Sequence, residues 1–180
     1  PKIEASLNSL DVHDSNALQK ASRDIEKMII ETPVPDDIAD EIGRRYRAMG
    51  EPPVAVRSSA TAEDLPEESF AGQQSTFLDV VGADRVVQAV KECWASLFEA
   101  RAIFYRSENA FEHMKVKIAV PVQKMVQSEF SGVMFTVEPV TSDRSKITVE
   151  AIVGLGEGLV SGEISPDMYI VDKASMRIVE

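Results

Sequence analysis

The chain has 180 residues, a formal net charge of −11 at pH 7, 44% hydrophobic residues and 27% charged residues. These values are typical of one globular domain or of two closely joined lobes. They argue against duplex nucleic acid as the main partner, because a phosphate backbone requires a basic face, and no segment is long and apolar enough to cross a bilayer. The single cysteine, Cys93, excludes an internal disulfide and is interpreted as a small buried apolar residue.

Two helices are predicted first along the chain. Asp14 is a good N-cap for an apolar stripe that runs over residues 18–29 at helical spacing. A second helix is predicted to begin after Pro35 and to end near Gly50. Both helices are interpreted as structural, so residues 1–52 are predicted to form a helical linking segment.

Short β-favouring runs dominate the rest of the chain. Residues 60–74 are polar, acidic and interrupted by Pro66 and Gly72, which predicts a loop. Helices followed by strands predict an α+β fold, with a mixed or antiparallel sheet and flanking helices. The predicted elements are strands at 54–56, 76–81, 116–126, 132–137 and 147–153, a helix at 83–109, and a closing hairpin at 169–171 and 176–179.

Arg57 is a candidate phosphate-binding residue, because it ends a predicted strand and is followed by hydroxyl residues at 58, 59 and 61. Its guanidinium offers a planar fork of donors that fits phosphate oxygens, and backbone N–H groups of the turn can add more. The alternative is an ion pair with an acid further along, which the spacing alone favours. The acids in question are Glu63, Asp64, Glu67 and Glu68.

A glycine-rich segment at residues 154–158 is a candidate metal–phosphate site. It has neither the Gly-Lys-Ser/Thr of a P-loop nor the spacing of a Rossmann turn. The carboxylate of Glu157 would repel phosphate directly, but Mg²⁺ between them would make the interaction attractive, since Mg²⁺ takes one or two carboxylates together with phosphate oxygens. Glu150, on the preceding strand, could share that ion. The alternative is an ordinary surface loop.

Two further segments have both a structural and a functional interpretation. Residues 120–126 alternate between apolar and other side chains, and they predict either an ordinary strand or a strand whose backbone binds a flat base beside Gln123, Met125 and Val126. Residues 94–106 place aromatic and aliphatic side chains at helical spacing, which predicts a core helix. Arg101 on that helix either reaches a phosphate or pairs with an acid.

Taken together, these segments resemble the nucleotide-binding domain of the phosphoenolpyruvate synthase family. The likeness covers residues 54–167, and its motifs occur in the family's order. Pyruvate phosphate dikinases and rifampin phosphotransferases share much of it, although the Arg-Ser-Ser-Ala-Thr-Ala-Glu-Asp-Leu-Pro form is most similar to the synthases. The matching segments are 55–66, 69–74, 94–106, 122–126, 131–136 and 154–157.

The resemblance implies a partial ATP-grasp-like fold in which residues 53–180 form a nucleotide-binding lobe and ATP lies with Mg²⁺ between two lobes. It implies that Arg57 holds phosphate as a catalytic residue and that Arg101 assists. By the same likeness Gln123, Met125 and Val126 would line the adenine. Glu157 would meet the metal, and Glu150 would join it, although some relatives lack an acid at that position.

The same resemblance implies the reaction of a cytoplasmic enzyme of gluconeogenesis. The family transfers the β-phosphoryl group of ATP to a histidine on a separate domain and then to pyruvate, giving phosphoenolpyruvate, AMP and phosphate. The family's N-terminal Gly-Gly-Lys loop, its phosphohistidine segment and its pyruvate-binding barrel have no counterpart in this sequence. We therefore expect a fragment that is inactive alone and whose partners are those missing parts. The alternatives are the ATP domain of another dikinase and a non-catalytic domain of the same fold.

Overall fold

The computed structural model describes residues 1–60, 64–65, 68–69 and 76–180, with only the backbone described at residues 60, 64–65 and 68–69. The described residues form two compact units, residues 1–125 and 126–180. No helix in the described ranges is long and apolar enough to span a membrane. The division predicted at residues 52 and 53 stays a prediction.

Three helices open the first unit: α1 (Lys2–Asn8), α2 (Ser15–Glu31) and α3 (Asp36–Ala48). The predicted cap of α2 is confirmed, because the carboxylate of Asp14 accepts hydrogen bonds from the N–H groups of residues 16 and 17 at 2.9 and 3.1 Å. The start of α3 directly after Pro35 is confirmed as well. α1 was not predicted, because it is short and has no side-chain cap.

The prediction of one continuous helix over residues 83–109 is wrong. The structure contains two helices there, α4 (Ala83–Ser96) and α5 (Ala100–Glu108). The N–H groups of Phe98 and Glu99 donate to carbonyls three residues earlier, which forms a tight turn between the helices. The hydroxyl of Ser96 donates to the Cys93 carbonyl at 2.9 Å. Such a local bond competes with continuation of the helix.

A small antiparallel sheet lies against these helices. Its strand order is β5–β1–β7, formed by β1 (Val54–Arg57), β5 (Thr76–Val80) and β7 (Val122–Lys124). Val54 and Val56 are fully buried in a core that includes Tyr46, Val86 and Cys93. Burial raises the pKa of the Cys93 thiol to about 11, with a smaller contribution from Glu92, so its interpretation as a buried apolar residue is confirmed.

Shorter elements complete the first unit. β2 (Ser59–Ala60) pairs with β6 (Ile118–Ala119), and β3 (Asp64–Leu65) pairs with β4 (Glu68–Ser69). A 3₁₀ turn spans His113–Lys115. Apart from β3 and β4, the loop predicted at residues 60–74 lies largely outside the described residues. A second core packs α1, α2 and α5 through the side chains of Leu7, Leu18, Ile25, Phe98 and Ile103.

The second unit is a four-stranded antiparallel sheet of order β11–β10–β9–β8. The predicted closing hairpin is confirmed by the antiparallel pairing of its last two strands. Every strand pair in the described residues is antiparallel, which bears out the predicted combination of helices and antiparallel sheet. The elements are β8 (Phe130–Phe135), β9 (Lys146–Val153), α6 (Glu157–Val160), β10 (Asp167–Asp172) and β11 (Arg177–Ile178).

Candidate functional site

The first unit places Arg57 and Gln123 on the same face of its sheet. Ala55 of β1 is the register partner of Gln123 in β7, and the N–H of Arg57 donates to the Pro121 carbonyl at 3.2 Å. Register partners lie on the same face, and side chains alternate along a strand. Arg57 and Gln123 are therefore diagonal neighbours, about 7–8 Å apart, on the face opposite to the buried Val56.

The side chain of Arg57 is exposed, and its guanidinium has no hydrogen bond or ion pair to any side chain that the structure describes. The acids considered as alternative partners lie outside the described side chains. Among the side chains that the structure describes, the Arg57 guanidinium therefore remains available for an anionic ligand, while the hydrogen bonds of β1 hold its backbone in place. Its role as a phosphate-binding residue stays a prediction.

The two residues that follow β7 differ in what their backbones can offer. The N–H of Met125 donates to the Pro53 carbonyl at 2.9 Å. This bond occupies the donor that a bound base would need, so Met125 can contribute its half-buried side chain but not its amide. Val126 is 75% exposed and is the first residue of the second unit. Contact of either residue with adenine stays a prediction.

Arg101 lies in the first turn of α5 and pairs with Glu99, with 3.3 Å between the guanidinium Nε and a carboxylate oxygen. It also lines a polar pocket of about 360 Å³ together with residues of α2, including Ser22 and Glu26. The ion pair with Glu99 agrees with the alternative that Arg101 pairs with an acid. Both partners are partly exposed, so the pair is weak and can exchange for a stronger anion.

In the second unit, the glycine-rich segment folds back over the sheet. The N–H of Gly154 donates to the Glu129 carbonyl at 2.8 Å, and the hydroxyl of Ser131 donates to the Gly154 carbonyl at 2.7 Å. Ser131 is the register partner of Ile152, so it shares a face with Glu150, two residues earlier. The segment that leads to Glu157 therefore lies over the face that carries Glu150.

One glycine of this segment is required by its backbone geometry. Gly154 has a φ of +85°, which other residues adopt only with strain. A Cβ atom on Gly158 would lie 2.5 Å from Cδ1 of Ile164, which is the end of a half-exposed side chain that can rotate away. Gly154 thus permits a compact turn, which places Glu157 at the first position of α6.

The role of Glu150 and Glu157 as metal ligands stays a prediction. No group of three or more His, Cys, Asp or Glu side chains in the described ranges could hold a metal ion. Mg²⁺ characteristically takes one or two carboxylates and completes its shell with phosphate oxygens and water.

Ser131 contacts the glycine-rich segment, although its sequence pattern did not predict a place in the site. Its hydroxyl fixes the glycine-rich segment through the bond to Gly154, and Gly156 lies so close that a Cβ atom there would be 3.5 Å from the Ser131 Cβ. The motif at residues 131–136 contained this serine, but only the register of β8 on β9 shows which face it occupies.

Comparison with known proteins identifies the family. The family described as "Pyruvate phosphate dikinase, AMP/ATP-binding domain" matches residues 1–180. The chain belongs to this family.

Relatives of this chain include proteins named phosphoenolpyruvate synthase or probable phosphoenolpyruvate synthase. The phosphoenolpyruvate synthase of Pyrococcus furiosus is 52% identical over 180 residues, covering 97% of this chain and 22% of the relative. A probable phosphoenolpyruvate synthase of Pyrococcus horikoshii is 53% identical over 180 residues, with the same two coverages. One from Methanothermobacter thermautotrophicus is 52% identical over 186 residues, covering 100% of this chain and 27% of the relative. The chain thus spans about a quarter or less of the length of these relatives.

Proposed function

We propose that the chain is the ATP-binding part of a phosphoenolpyruvate synthase and that it adopts a partial ATP-grasp-like fold. The observation that carries the proposal is the identity of about one half to synthases over nearly the whole chain, within an AMP/ATP-binding domain family. The complete enzyme would transfer the β-phosphoryl group of ATP through a phosphohistidine to pyruvate, giving phosphoenolpyruvate, AMP and phosphate. It would act in the cytoplasm, in gluconeogenesis.

Phosphoryl transfer mainly requires that the charge of the phosphates be neutralised, and several residues of the chain would contribute to this. Arg57 would bind phosphate oxygens, and Arg101 would assist after leaving Glu99. Mg²⁺, held by Glu157 with Glu150, would neutralise the triphosphate. Gln123 would bind the adenine edge on the sheet face that it shares with Arg57, because its amide both donates and accepts hydrogen bonds.

The remaining parts of the proposed enzyme would come from elsewhere in the polypeptide. They are a Gly-Gly-Lys lobe that meets the phosphates from the other side, a domain with the phosphohistidine and a domain that binds pyruvate. The 180 residues would therefore bind ATP without turning it over. This expectation separates binding, which can be measured on the chain itself, from activity, which requires the complete enzyme.

A titration of Mg²⁺·ATP into the isotope-labelled chain, followed by backbone amide shifts, tests the proposal. We expect shifts at Arg57, at residues 123–126 and at residues 150–158, and smaller shifts when Mg²⁺ is omitted. Arg57→Met should weaken binding by about ten- to a hundredfold, the effect of removing one charge-assisted hydrogen bond of roughly 1.5–3 kcal/mol. The control Arg177→Met removes an exposed arginine of β11 and should leave binding unchanged.

Repeating the titration on the full-length polypeptide makes the result decisive. Binding there but not to the 180 residues would show that the Gly-Gly-Lys lobe is required. Absence of binding in both, up to millimolar Mg²⁺·ATP, would refute the proposal and favour a non-catalytic domain of the same fold. Equal weakening by Arg57→Met and Arg177→Met would refute the role given to Arg57.

A further inference from the structure

Ser131 connects the first strand of the second unit to the turn that follows β9. Its hydroxyl donates to the Gly154 carbonyl at 2.7 Å, across 23 residues of the chain, and the Gly154 N–H donates to the Glu129 carbonyl at 2.8 Å. Both backbone polar groups of Gly154 are therefore bonded to β8 or to the residue before it. The glycine that gives this turn its positive φ is thus held in place from β8.

The same side chain contacts the start of α6. A Cβ atom on Gly156, the N-cap of this helix, would lie 3.5 Å from the Ser131 Cβ, so this glycine packs against Ser131. Glu157 is the next residue and the first of α6. Because α6 has only four residues, it has little stability of its own, and its position depends on the contacts that hold its ends. Ser131 provides such contacts to the segment that carries Glu157.

Ser131 also lies beside Glu150 on the sheet. Its register partner is Ile152, and Glu150 is the register partner of Val133. Ser131 and Glu150 are therefore diagonal neighbours on one face, about 7–8 Å apart. Ser131 thus adjoins one proposed Mg²⁺ ligand across the sheet and contacts the turn that leads to the other, Glu157.

The geometry of a magnesium site makes this connection important. Mg²⁺ requires near-ideal octahedral coordination at about 2.0–2.1 Å, so its affinity depends on where each carboxylate is held. Residues that orient metal ligands without touching the metal commonly change its affinity by about ten- to a hundredfold when they are replaced. A hydroxyl that holds the turn before one carboxylate close to the other carboxylate fits such a role.

We propose that Ser131 is a positioning residue, whose hydroxyl holds Glu157 in the place relative to Glu150 that a Mg²⁺·nucleotide complex requires. The hydroxyl acts through the Gly154 carbonyl and touches neither the metal nor the nucleotide. This inference rests on the proposed function, because it presupposes that Glu150 and Glu157 meet Mg²⁺. Removal of the hydroxyl should therefore lower the contribution of Mg²⁺ to nucleotide binding and leave the Mg²⁺-independent part unchanged.

Calorimetry on the full-length polypeptide tests this role. The ligand is α,β-methylene-ATP, in which the bond that yields AMP cannot break, and its affinity is measured once with Mg²⁺ and once with a chelator. The ratio of the two affinities should fall by about tenfold in Ser131→Ala, while the affinity in chelator stays at the parent value. Ser161→Ala is the matched control, since the Ser161 hydroxyl reaches only the nearby Gly158 carbonyl at 3.4 Å, and it should preserve the ratio.

Two further variants separate the hydroxyl from the volume of the side chain. Ser131→Thr keeps the hydroxyl, whereas Ser131→Val has nearly the same volume as threonine and lacks it, so the affinity ratio should be about tenfold higher in Ser131→Thr. Hydrogen exchange of residues 155–160 should be faster in Ser131→Ala and Ser131→Val than in the parent, because the turn loses its bond to β8. Exchange of residues 146–153 should stay the same, because the β8–β9 ladder does not use this hydroxyl.

The possible results separate this inference from the proposed function. A parent polypeptide that binds no nucleotide, or binds it equally well in both conditions, would refute the proposed Mg²⁺ site and this inference together. If the parent shows the Mg²⁺ effect, an unchanged ratio in Ser131→Ala, or equal ratios in Ser131→Thr and Ser131→Val, would overturn the positioning role alone. Loss of protection over residues 146–153, or an equal loss of affinity with and without Mg²⁺, would overturn it too, because the hydroxyl would then serve only the fold of the second unit.

Discussion

Replacing Gly132 by alanine should disturb the sheet of the second unit at the strand that carries Glu150. Gly132 lies in β8 opposite Ala151, and a Cβ atom added to it would lie 2.5 Å from the Glu150 carbonyl oxygen. Carbon–oxygen contacts normally begin at about 3.3 Å. The strands would therefore have to separate by nearly 1 Å, because the obstructing atom belongs to the backbone of β9 and cannot rotate away.

The cost of this separation can be placed within limits. Forcing an extra carbon into a well-packed site typically costs about 1–3 kcal/mol, and a displaced β8–β9 ladder would also weaken hydrogen bonds of both strands. We expect a loss of about 1.4–2.7 kcal/mol for Gly132→Ala, within that interval. The same displacement would move Glu150, so Mg²⁺-dependent ATP affinity should fall together with stability.

Gly43→Ala is the matched control for this prediction. A Cβ atom on Gly43 would meet Nη1 of Arg47 at 3.2 Å, which is the flexible end of an exposed side chain and can move. Gly43 lies inside α3, where alanine is favoured over glycine by up to about 1 kcal/mol. The identical chemical change should therefore stabilise the first unit, while Gly132→Ala destabilises the second.

Amide hydrogen exchange is the suitable assay, because it reports the opening free energy of each unit separately. Residues 130–135 and 146–153 should exchange faster in Gly132→Ala by one to two orders of magnitude, which corresponds to about 1.4–2.7 kcal/mol. Exchange in these strands within about 0.5 kcal/mol of the parent value, or an equal loss of protection of α3 in Gly43→Ala, would refute the steric argument.

Three other predictions concern separate parts of the chain. Tyr46→Phe should cost about 1–3 kcal/mol in urea unfolding, because the hydroxyl donates to a backbone carbonyl at 3.0 Å and accepts a backbone N–H at 3.1 Å in the core; an unchanged midpoint would contradict this. The pKa of His113 is lowered by burial and then by the charge of Arg106, so below about pH 6.5 the unfolded chain binds a proton that the folded chain refuses, and stability should fall as pH drops. The free energy of unfolding should fall less steeply with pH in His113→Asn, and an equal dependence in both proteins would argue against His113 as its cause. Glu157→Gln should lower Mg²⁺-dependent ATP affinity of the full-length polypeptide by about tenfold, whereas Glu163→Gln should not; calorimetry that finds both variants unchanged would remove Glu157 from the site.

Local signals predicted most of the secondary structure. Asp14 before an apolar stripe and Pro35 before a pair of acids mark the helix starts that the structure shows. The break after Ser96 escaped prediction, because the apolar stripe continues across it and the turn is fixed by bonds of only three residues' span. The start of α1 escaped as well, since no capping side chain precedes it.

The arrangement of the site was less accessible to sequence reasoning. Arg57 and Gln123 are predicted residues, but their common face depends on the antiparallel register of two strands far apart in sequence. That register is determined by tertiary packing of Val54 and Val56 against α4. The hydrogen bond from the Met125 N–H could not be predicted either, because its acceptor is the backbone carbonyl of Pro53 and does not depend on the side-chain pattern.

The two faces of β1 have different roles, one in the core and one in the candidate site. Val56 is fully buried, and its neighbour Arg57 lies on the opposite face with an exposed side chain. Since a shift of one residue would exchange these faces, the burial of Val56 determines the position of the Arg57 side chain. Substitution of Arg57 should therefore weaken ligand binding with little effect on the free energy of unfolding. Val56→Ala should lower both the free energy of unfolding and the affinity for the ligand, because it disturbs the core that positions β1.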